Sequence, residues 1–238
     1  RDCAEGTQEV RDGVATAVRE LGSTPLIGFG GAPFTLAAYM VEGRPSRDHM
    51  AARTLAASDP GSWDALMSWC ARVSADFITS QIEAGASAVQ LFDSWVGSLS
   101  PRTYRESVAP YSRMVARRIA GAVSSVTGER APLIHFGTGS APILADMAEV
   151  GANCVGVDWK TDLSWAIAQV PGKAVQGNLD PALLQAPRPV IEQAVRDILD
   201  AGRSAPGHVF NLGHGVPPTT NPDVLTRIVE LVHELGEA

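Results

Sequence analysis

The chain has 238 residues, of which 45% are hydrophobic and 19% charged, a composition typical of one large or two small globular domains. The formal net charge is −7, and no block of lysine and arginine interrupts the sequence, which argues against a nucleic-acid partner. No apolar run approaches the roughly 18 residues of a membrane span, and no secretory leader pattern is visible, so the sequence predicts no membrane association.

The three cysteines, Cys3, Cys70 and Cys154, are scattered and form no CxxC pair. This usage indicates a reducing compartment such as the cytoplasm, and it argues against a disulfide framework or a structural zinc site.

Helical periodicity and short apolar runs alternate along the chain. In chain order the predicted elements are helix 5–21, strand 25–29, helix 60–84, strand 88–92, helix 101–124, strand 132–136, helix 141–150, strand 154–159, strand 173–177, helix 187–202, strand 208–212 and helix 222–236. The strands are continuously apolar, which is typical of a parallel sheet that is buried on both faces.

A doubly wound sheet and a TIM-like barrel both fit this alternation, and the ends of the strands favour the barrel. Nearly every strand ends in small or polar residues, as at Asp93-Ser94, Gly137-Thr138 and Gly213-His214. A barrel spreads functional groups over many strand ends, whereas an open sheet concentrates them at one switch point. We therefore predict a single partial (β/α) barrel domain over residues 1–238, with about six of the eight units and the other two lying before Arg1.

Several motifs have competing explanations. Gly28-Phe29-Gly30-Gly31-Ala32-Pro33 lacks the spacing of a GxGxxG dinucleotide loop.

Arg44 and Arg47 follow an apolar segment that contains Tyr39, and they either serve an anionic ligand or face solvent. Ser94 has no GxSxG elbow around it, which argues against a nucleophilic serine.

His135 lies inside a strand without a nearby cysteine, and Cys154 begins its strand at the opposite end of a barrel. Asp158, Asp180 and His214 are the remaining rim candidates, but a zinc site needs several converging ligands. We expect no metal site.

The segment His208–Pro217, HVFNLGHGVP, is the most informative stretch. A short apolar run ends at a histidine between two glycines, which allow the backbone to turn sharply and to approach a ligand closely. The pattern places His214 at the catalytic rim of a barrel, although an ordinary turn histidine would look the same.

Five segments together resemble the uroporphyrinogen decarboxylase family. They are GFGGAPFTLAAYMVEG (28–43), QLFDSWVGSLSP (90–101), GVDW (156–159), QGNLDP (176–181) and NLGHG (211–215). The resemblance implies a TIM-like barrel, a homodimer and a lyase that needs no cofactor. Its reaction in porphyrin and haem biosynthesis converts uroporphyrinogen III to coproporphyrinogen III by removing four acetate carboxyl groups.

The resemblance also assigns substrate-binding roles. The family's tyrosine maps onto Tyr39, its serine or threonine onto Ser94 and its histidine onto His214, while Phe29 and Phe92 match phenylalanines that pack against the macrocycle. An octacarboxylate with an apolar centre needs an apolar floor and perimeter donors, which these residue types supply.

The family's arginine pair, in an RQAGR-like segment, and its aspartate after the second strand have no match here. The catalytic residues are therefore not identified in this sequence, and both groups would precede Arg1. A barrel without its first two strands would expose two sheet edges, which predicts association or poor solubility.

Two alternatives remain open. The related cobalamin-dependent methyltransferases share the barrel, but they would need a zinc-binding cysteine near His135 or at the position of His214. A non-catalytic tetrapyrrole-binding module would keep the aromatic residues and His214 and would lack the acid–base groups.

Overall fold

Residues 6–236 are described by the structure, a computed structural model, and Cys3 lies outside them. The elements are α1 (Gln8–Leu21), β1 (Ile27–Gly31), α2 (Pro33–Glu42), α3 (Met50–Ser58), α4 (Pro60–Glu83), β2 (Ala88–Phe92), α5 (Pro101–Ser107), α6 (Ala109–Ile119), β3 (Leu133–Phe136), α7 (Leu144–Glu149), β4 (Cys154–Gly156), α8 (Leu163–Gln169), β5 (Ala174–Gln176), α9 (Arg188–Gly202), β6 (His208–Val209) and α10 (Pro222–Gly236). Short 3₁₀ turns cover Val96–Ser98, Ala141–Ile143 and Pro181–Gln185.

The six strands form one parallel sheet in the order of the chain, β1 to β6. In a doubly wound sheet the strand order reverses at a switch point. Here the strands follow one another without a reversal, which is the order of a (β/α) barrel. Within residues 6–236, β1 and β6 each have a strand neighbour on one side only. The predicted α/β class and the barrel-type arrangement of six strands are therefore confirmed.

Alternate strand residues pack against the surrounding helices and form the main apolar core. Val89 and Leu91 of β2 are fully buried against Ile78 and Ile82 of α4 and Val115 of α6. Burial of each such side chain stabilises the fold by about 1.5–3 kcal/mol. The intervening residues of β2, Gln90 and Phe92, are left on the other face of the sheet, where they line a cavity.

Three helices and one helix break were not predicted. Helices α2, α3 and α8 fall in segments where no helical periodicity was assigned. The predicted helix 101–124 is divided at Val108 and ends at Ile119. The cause of the division is Pro110, which has no N–H for the carbonyl four residues earlier and instead occupies the first turn of α6.

Side chains of α4 occupy the free edge of β1. The Gln81 side chain accepts a 3.0 Å hydrogen bond from the Phe29 amide and donates a 2.7 Å bond to the Phe29 carbonyl. Ser74 donates a 2.7 Å bond to the Gly31 carbonyl. Strand β1 is an edge strand, as expected, and side chains of α4 pair with part of its free edge.

Glycine at position 30 permits this close packing of α4 on β1. A Cβ atom there would come within 2.8 Å of the Ile78 side chain.

No helix within the described part of the chain combines the length and the apolar character needed to cross a membrane.

Candidate functional site

A cavity of about 390 Å³ opens at the carboxyl ends of the strands. Its lining comprises Gln90, Phe92, Ser94, Phe136, Gln176, Asn211, Leu212, His214, Gly215 and Val216. Three residues singled out from the sequence, Phe92, Ser94 and His214, therefore meet in one cavity although they lie on two distant segments. Such a rim cavity is where barrel proteins place their ligands.

Three phenylalanines form an apolar wall along one side of the site. Phe92 makes edge-to-face contacts with Phe29 on β1, at 5.8 Å between ring centroids, and with Phe136 on β3, at 5.9 Å. Phe29 is 58% exposed, so its ring extends this wall into solvent instead of into the core. An exposed aromatic surface beside a cavity suits a large planar or cyclic apolar ligand.

The cavity floor is polar. Gln90 of β2 and Gln176 of β5 are both buried and are hydrogen-bonded to each other. The Gln176 Oε1 atom has no protein partner among the described residues, so an acceptor remains available at the floor.

The His214 loop is held by backbone contacts. Leu179 donates to the Asn211 carbonyl at 3.0 Å and accepts from the Gly213 amide at 2.8 Å, which extends the β5–β6 pairing beyond the strands. A Cβ atom at position 213 would overlap the backbone of Trp159, so glycine is needed for this close approach. The exposed His214 ring then stands edge-on to Trp159 at 5.4 Å.

Ser94 follows β2 directly and is half-buried at the cavity wall. The Asp93 amide donates to the Phe136 carbonyl at 2.7 Å, and the Thr138 hydroxyl donates to the Ser94 carbonyl at 2.6 Å. These bonds fix the backbone and leave the Ser94 hydroxyl available to a ligand.

Tyr39 lies apart from this cavity. It sits in the last turn of α2, is 51% exposed, and packs its ring on Trp95 at 3.9 Å between centroids. Trp95 is the residue after Ser94, so Tyr39 adjoins the site through this tryptophan. Its side chain is not among those that line the cavity.

Asp93 and His135 face the helices instead of the cavity. Both are fully buried, with the Nε2 atom of His135 3.7 Å from the Oδ2 atom of Asp93. Asp93 also accepts a 3.1 Å hydrogen bond from the Thr35 hydroxyl, and the His135 Nδ1 atom lies 3.4 Å from the Met147 carbonyl. This cluster therefore ties β2 and β3 to α2 and α7 behind the site.

The other acidic rim residues organise loops. Asp158 is fully buried and accepts from the Gly139 amide and the Thr161 hydroxyl, and Asp180 accepts from the Ala182 amide. Within residues 6–236, no group of three or more His, Cys, Asp or Glu side chains is placed to hold a metal ion.

The sequence interpretation missed four of the polar and aromatic residues that line the cavity: Gln90, Phe136, Gln176 and Asn211. Gln90 and Gln176 carried a detectable signal, since each is a single amide within an apolar strand. Buried amides at strand ends of a barrel are unusual unless they face a polar cavity.

The fold and the cavity define an α/β barrel protein with a small-molecule site at the carboxyl ends of its strands. The chain superimposes on a methyltransferase from Methanosarcina mazei with a TM-score of 0.79 over 94% of this chain and 63% of that chain, at 19% identity. That similarity concerns the fold alone.

The sequence comparisons identify the family. The family model described as uroporphyrinogen decarboxylase (URO-D) matches residues 1–235. Curated uroporphyrinogen decarboxylases from an Arthrobacter strain and from Salinispora tropica are 54% and 55% identical over 98% and 97% of this chain. The chain belongs to the uroporphyrinogen decarboxylase family. It spans 66% and 61% of the length of these two relatives.

Proposed function

We propose that this protein is a uroporphyrinogen decarboxylase, a carboxy-lyase of porphyrin and haem biosynthesis that converts uroporphyrinogen III to coproporphyrinogen III. One observation carries the proposal: Phe92, Ser94 and His214 line one rim cavity whose wall is extended by Phe29 and Phe136. The curated relatives with this name support it at more than half identity.

The residues of the cavity match the chemistry of the substrate. A flexible tetrapyrrole presents apolar ring edges to the phenylalanine wall, and its perimeter carboxylates reach the hydroxyl of Ser94 and the imidazole of His214. Tyr39 would contact a perimeter group that extends past Trp95. Each of these residues binds and orients the substrate.

The reaction itself has a simple balance of atoms and electrons. Protonation of a pyrrole carbon turns the ring into an electron sink. The bond between the acetate methylene and its carboxylate then breaks, carbon dioxide leaves, and the bonding pair moves into the ring. Reprotonation of the methylene carbon gives a methyl group and releases the ring proton. The four acetate groups react in turn, and no oxidant or reductant is consumed.

We also propose, from family membership, that the protein is a cytoplasmic homodimer whose residues 1–238 belong to one barrel domain. Light scattering coupled to size exclusion tests the dimer. A monomer mass at micromolar concentration would contradict it.

The decisive experiment is anaerobic turnover of uroporphyrinogen III by the protein expressed from its complete open reading frame. The products are oxidised to porphyrins and separated by chromatography according to their carboxylate number. We expect conversion from eight to four carboxylates. His233→Asn, at an exposed position of α10, is a matched control for changes at His214.

The competing outcome is binding without turnover. Among the described residues, the cavity lining includes no carboxylate and no guanidinium group. If uroporphyrin III quenches the tryptophan fluorescence but uroporphyrinogen III is recovered unchanged, the protein is a tetrapyrrole-binding module and the proposed activity is wrong.

A further inference from the structure

A second pocket adjoins the cavity at the same rim. It has a volume of about 370 Å³ and is lined by Ser46, Arg47, Asp48, His49, Arg53, Ser94, Trp95, Gly97, Ser98, Thr138, Gly139 and Lys160. Ser94 lines both spaces, so the two are neighbours at the rim. We refer to it as the Arg53 pocket.

The Arg53 pocket concentrates positive charge in an acidic protein. It contains Arg47, Arg53 and Lys160 against a single carboxylate, Asp48, while the whole chain has a net charge of −7. Within residues 6–236, none of the three cations lies within 4.0 Å of a carboxylate oxygen, a distance at which ten arginine–carboxylate pairs occur elsewhere.

The polar contacts of these cations leave donors unused. Arg53 donates from one guanidinium nitrogen to the Asp48 carbonyl at 3.3 Å, and the same nitrogen lies 3.8 Å from the Met50 sulfur. Lys160 places its ammonium group 4.9 Å from the centroid of the Trp159 ring, the same ring that contacts His214. The free charges therefore stand beside the proposed substrate site, where they raise the local anion concentration.

His49 gives the pocket a rigid wall. The residue is 4% exposed, stacks on Trp95 at 4.5 Å, and hydrogen-bonds through Nδ1 to the Ser98 hydroxyl at 3.0 Å. Burial lowers the pKa of His49, against the opposing effect of Glu42 and Asp48, so its ring adds no charge at neutral pH. The positive charge of the pocket comes from Arg47, Arg53 and Lys160.

We propose that the Arg53 pocket is a carboxylate subsite that holds one side-chain carboxylate of the tetrapyrrole while the macrocycle occupies the adjoining cavity. The inference rests on the proposed function and deepens it, because it assigns a recognition role to Arg47, Arg53 and Lys160. Guanidinium and ammonium groups are the natural partners of carboxylates, and a substrate with a charged perimeter requires several such contacts.

The test compares two double variants in the protein expressed from its complete open reading frame. R53Q/K160Q removes two charges from the pocket, and R72Q/R117Q removes two charges from exposed positions on α4 and α6 that line neither space. Both variants have the same net charge. KM and kcat for uroporphyrinogen III are measured for each at 50 mM and at 500 mM NaCl.

We expect R53Q/K160Q to raise KM about fivefold at low salt, since exposed charge pairs contribute modestly, with little change in kcat. The difference from the control should shrink at high salt, because screening weakens exposed charge interactions. If R53Q/K160Q has the same KM as R72Q/R117Q while the parent protein is active, the subsite is wrong and the proposed function stands. If the parent protein itself does not decarboxylate the substrate, the proposed function fails and the subsite assignment fails with it.

Discussion

Gln176 of β5 donates a 2.9 Å hydrogen bond to Gln90 of β2, although β3 and β4 lie between these strands in the sheet. A flat sheet would hold strands three places apart at roughly 14 Å, beyond the reach of two glutamine side chains. The bond therefore shows that the sheet is curled, as in a barrel, and that its concave side holds the cavity.

The Gln90–Gln176 pair should show strong coupling. Replacing either residue alone with leucine leaves its buried partner without a hydrogen bond, which costs about 1–3 kcal/mol. The double variant Q90L/Q176L should be less destabilised than the sum of the single variants, since both polar groups are then absent. Urea denaturation of the four proteins measures this, and strictly additive costs would contradict the pairing.

His214→Asn should weaken substrate binding more than it slows the reaction. The loss of one hydrogen bond to a charged group corresponds to a rise of about tenfold in KM, while kcat changes less. Steady-state kinetics with uroporphyrinogen III checks this, with His233→Asn as the control. An unchanged KM would show that His214 does not touch the substrate.

The placement of His214 depends on Gly213. In Gly213→Ala the new methyl group would overlap the Trp159 backbone, so the loop must move and carry the imidazole with it. We expect this variant to lose at least as much affinity as His214→Asn. Affinity like that of the parent protein would show that the loop tolerates displacement.

The cysteines of the described chain should be unreactive in the native protein. Burial raises the pKa of the Cys70 thiol to about 11 and that of the Cys154 thiol to about 12. With these pKa values, less than about one thiol in a hundred is ionised at pH 8. Both thiols are also buried, so a reagent in solvent cannot reach them.

A Cys3→Ser background restricts the measurement to these two thiols. A chromogenic disulfide reagent should then react with almost no thiol in native buffer and with both thiols after denaturation. Rapid reaction of either thiol in buffer would indicate that the core opens locally around α4 or β4.

His135→Leu should destabilise the fold. It removes the imidazole beside the buried Asp93 carboxyl group and the contact of its Nδ1 atom with the Met147 carbonyl, and a buried polar group left without a partner costs about 1–3 kcal/mol. Thermal unfolding should show a midpoint lowered by roughly 5 °C. His233→Leu on the exposed face of α10 should shift the midpoint little. A small effect at His135 would mean that the two side chains do not depend on each other.

The strands and most long helices could be predicted because their apolar residues recur with a clear period. Helix α2 could not, because its sequence, PFTLAAYMVE, is apolar on nearly all sides and buries Pro33, Phe34, Thr35, Ala37 and Ala38. A helix that is apolar on nearly all sides has no polar stripe to reveal its period.

The candidate site was predictable only in part. Glycines and a histidine after a strand mark the His214 loop, and Phe92 and Ser94 end a neighbouring strand. The Gln90–Gln176 hydrogen bond joins residues 86 positions apart, and the Arg53 pocket collects side chains from four separate segments. The sequence predicts Arg47 as a possible anion ligand, but only the fold places Lys160 in the same pocket.

The Gln81 side chain connects the outer edge of β1 to helix α4. The amide of an edge strand ordinarily exchanges its hydrogen with solvent as the strand frays. The Phe29 amide is instead bonded to the Gln81 side chain of α4, so its hydrogen exchanges only when this bond opens. Slow exchange at the Phe29 amide, and faster exchange in Gln81→Leu, would therefore measure how often the contact between β1 and α4 opens.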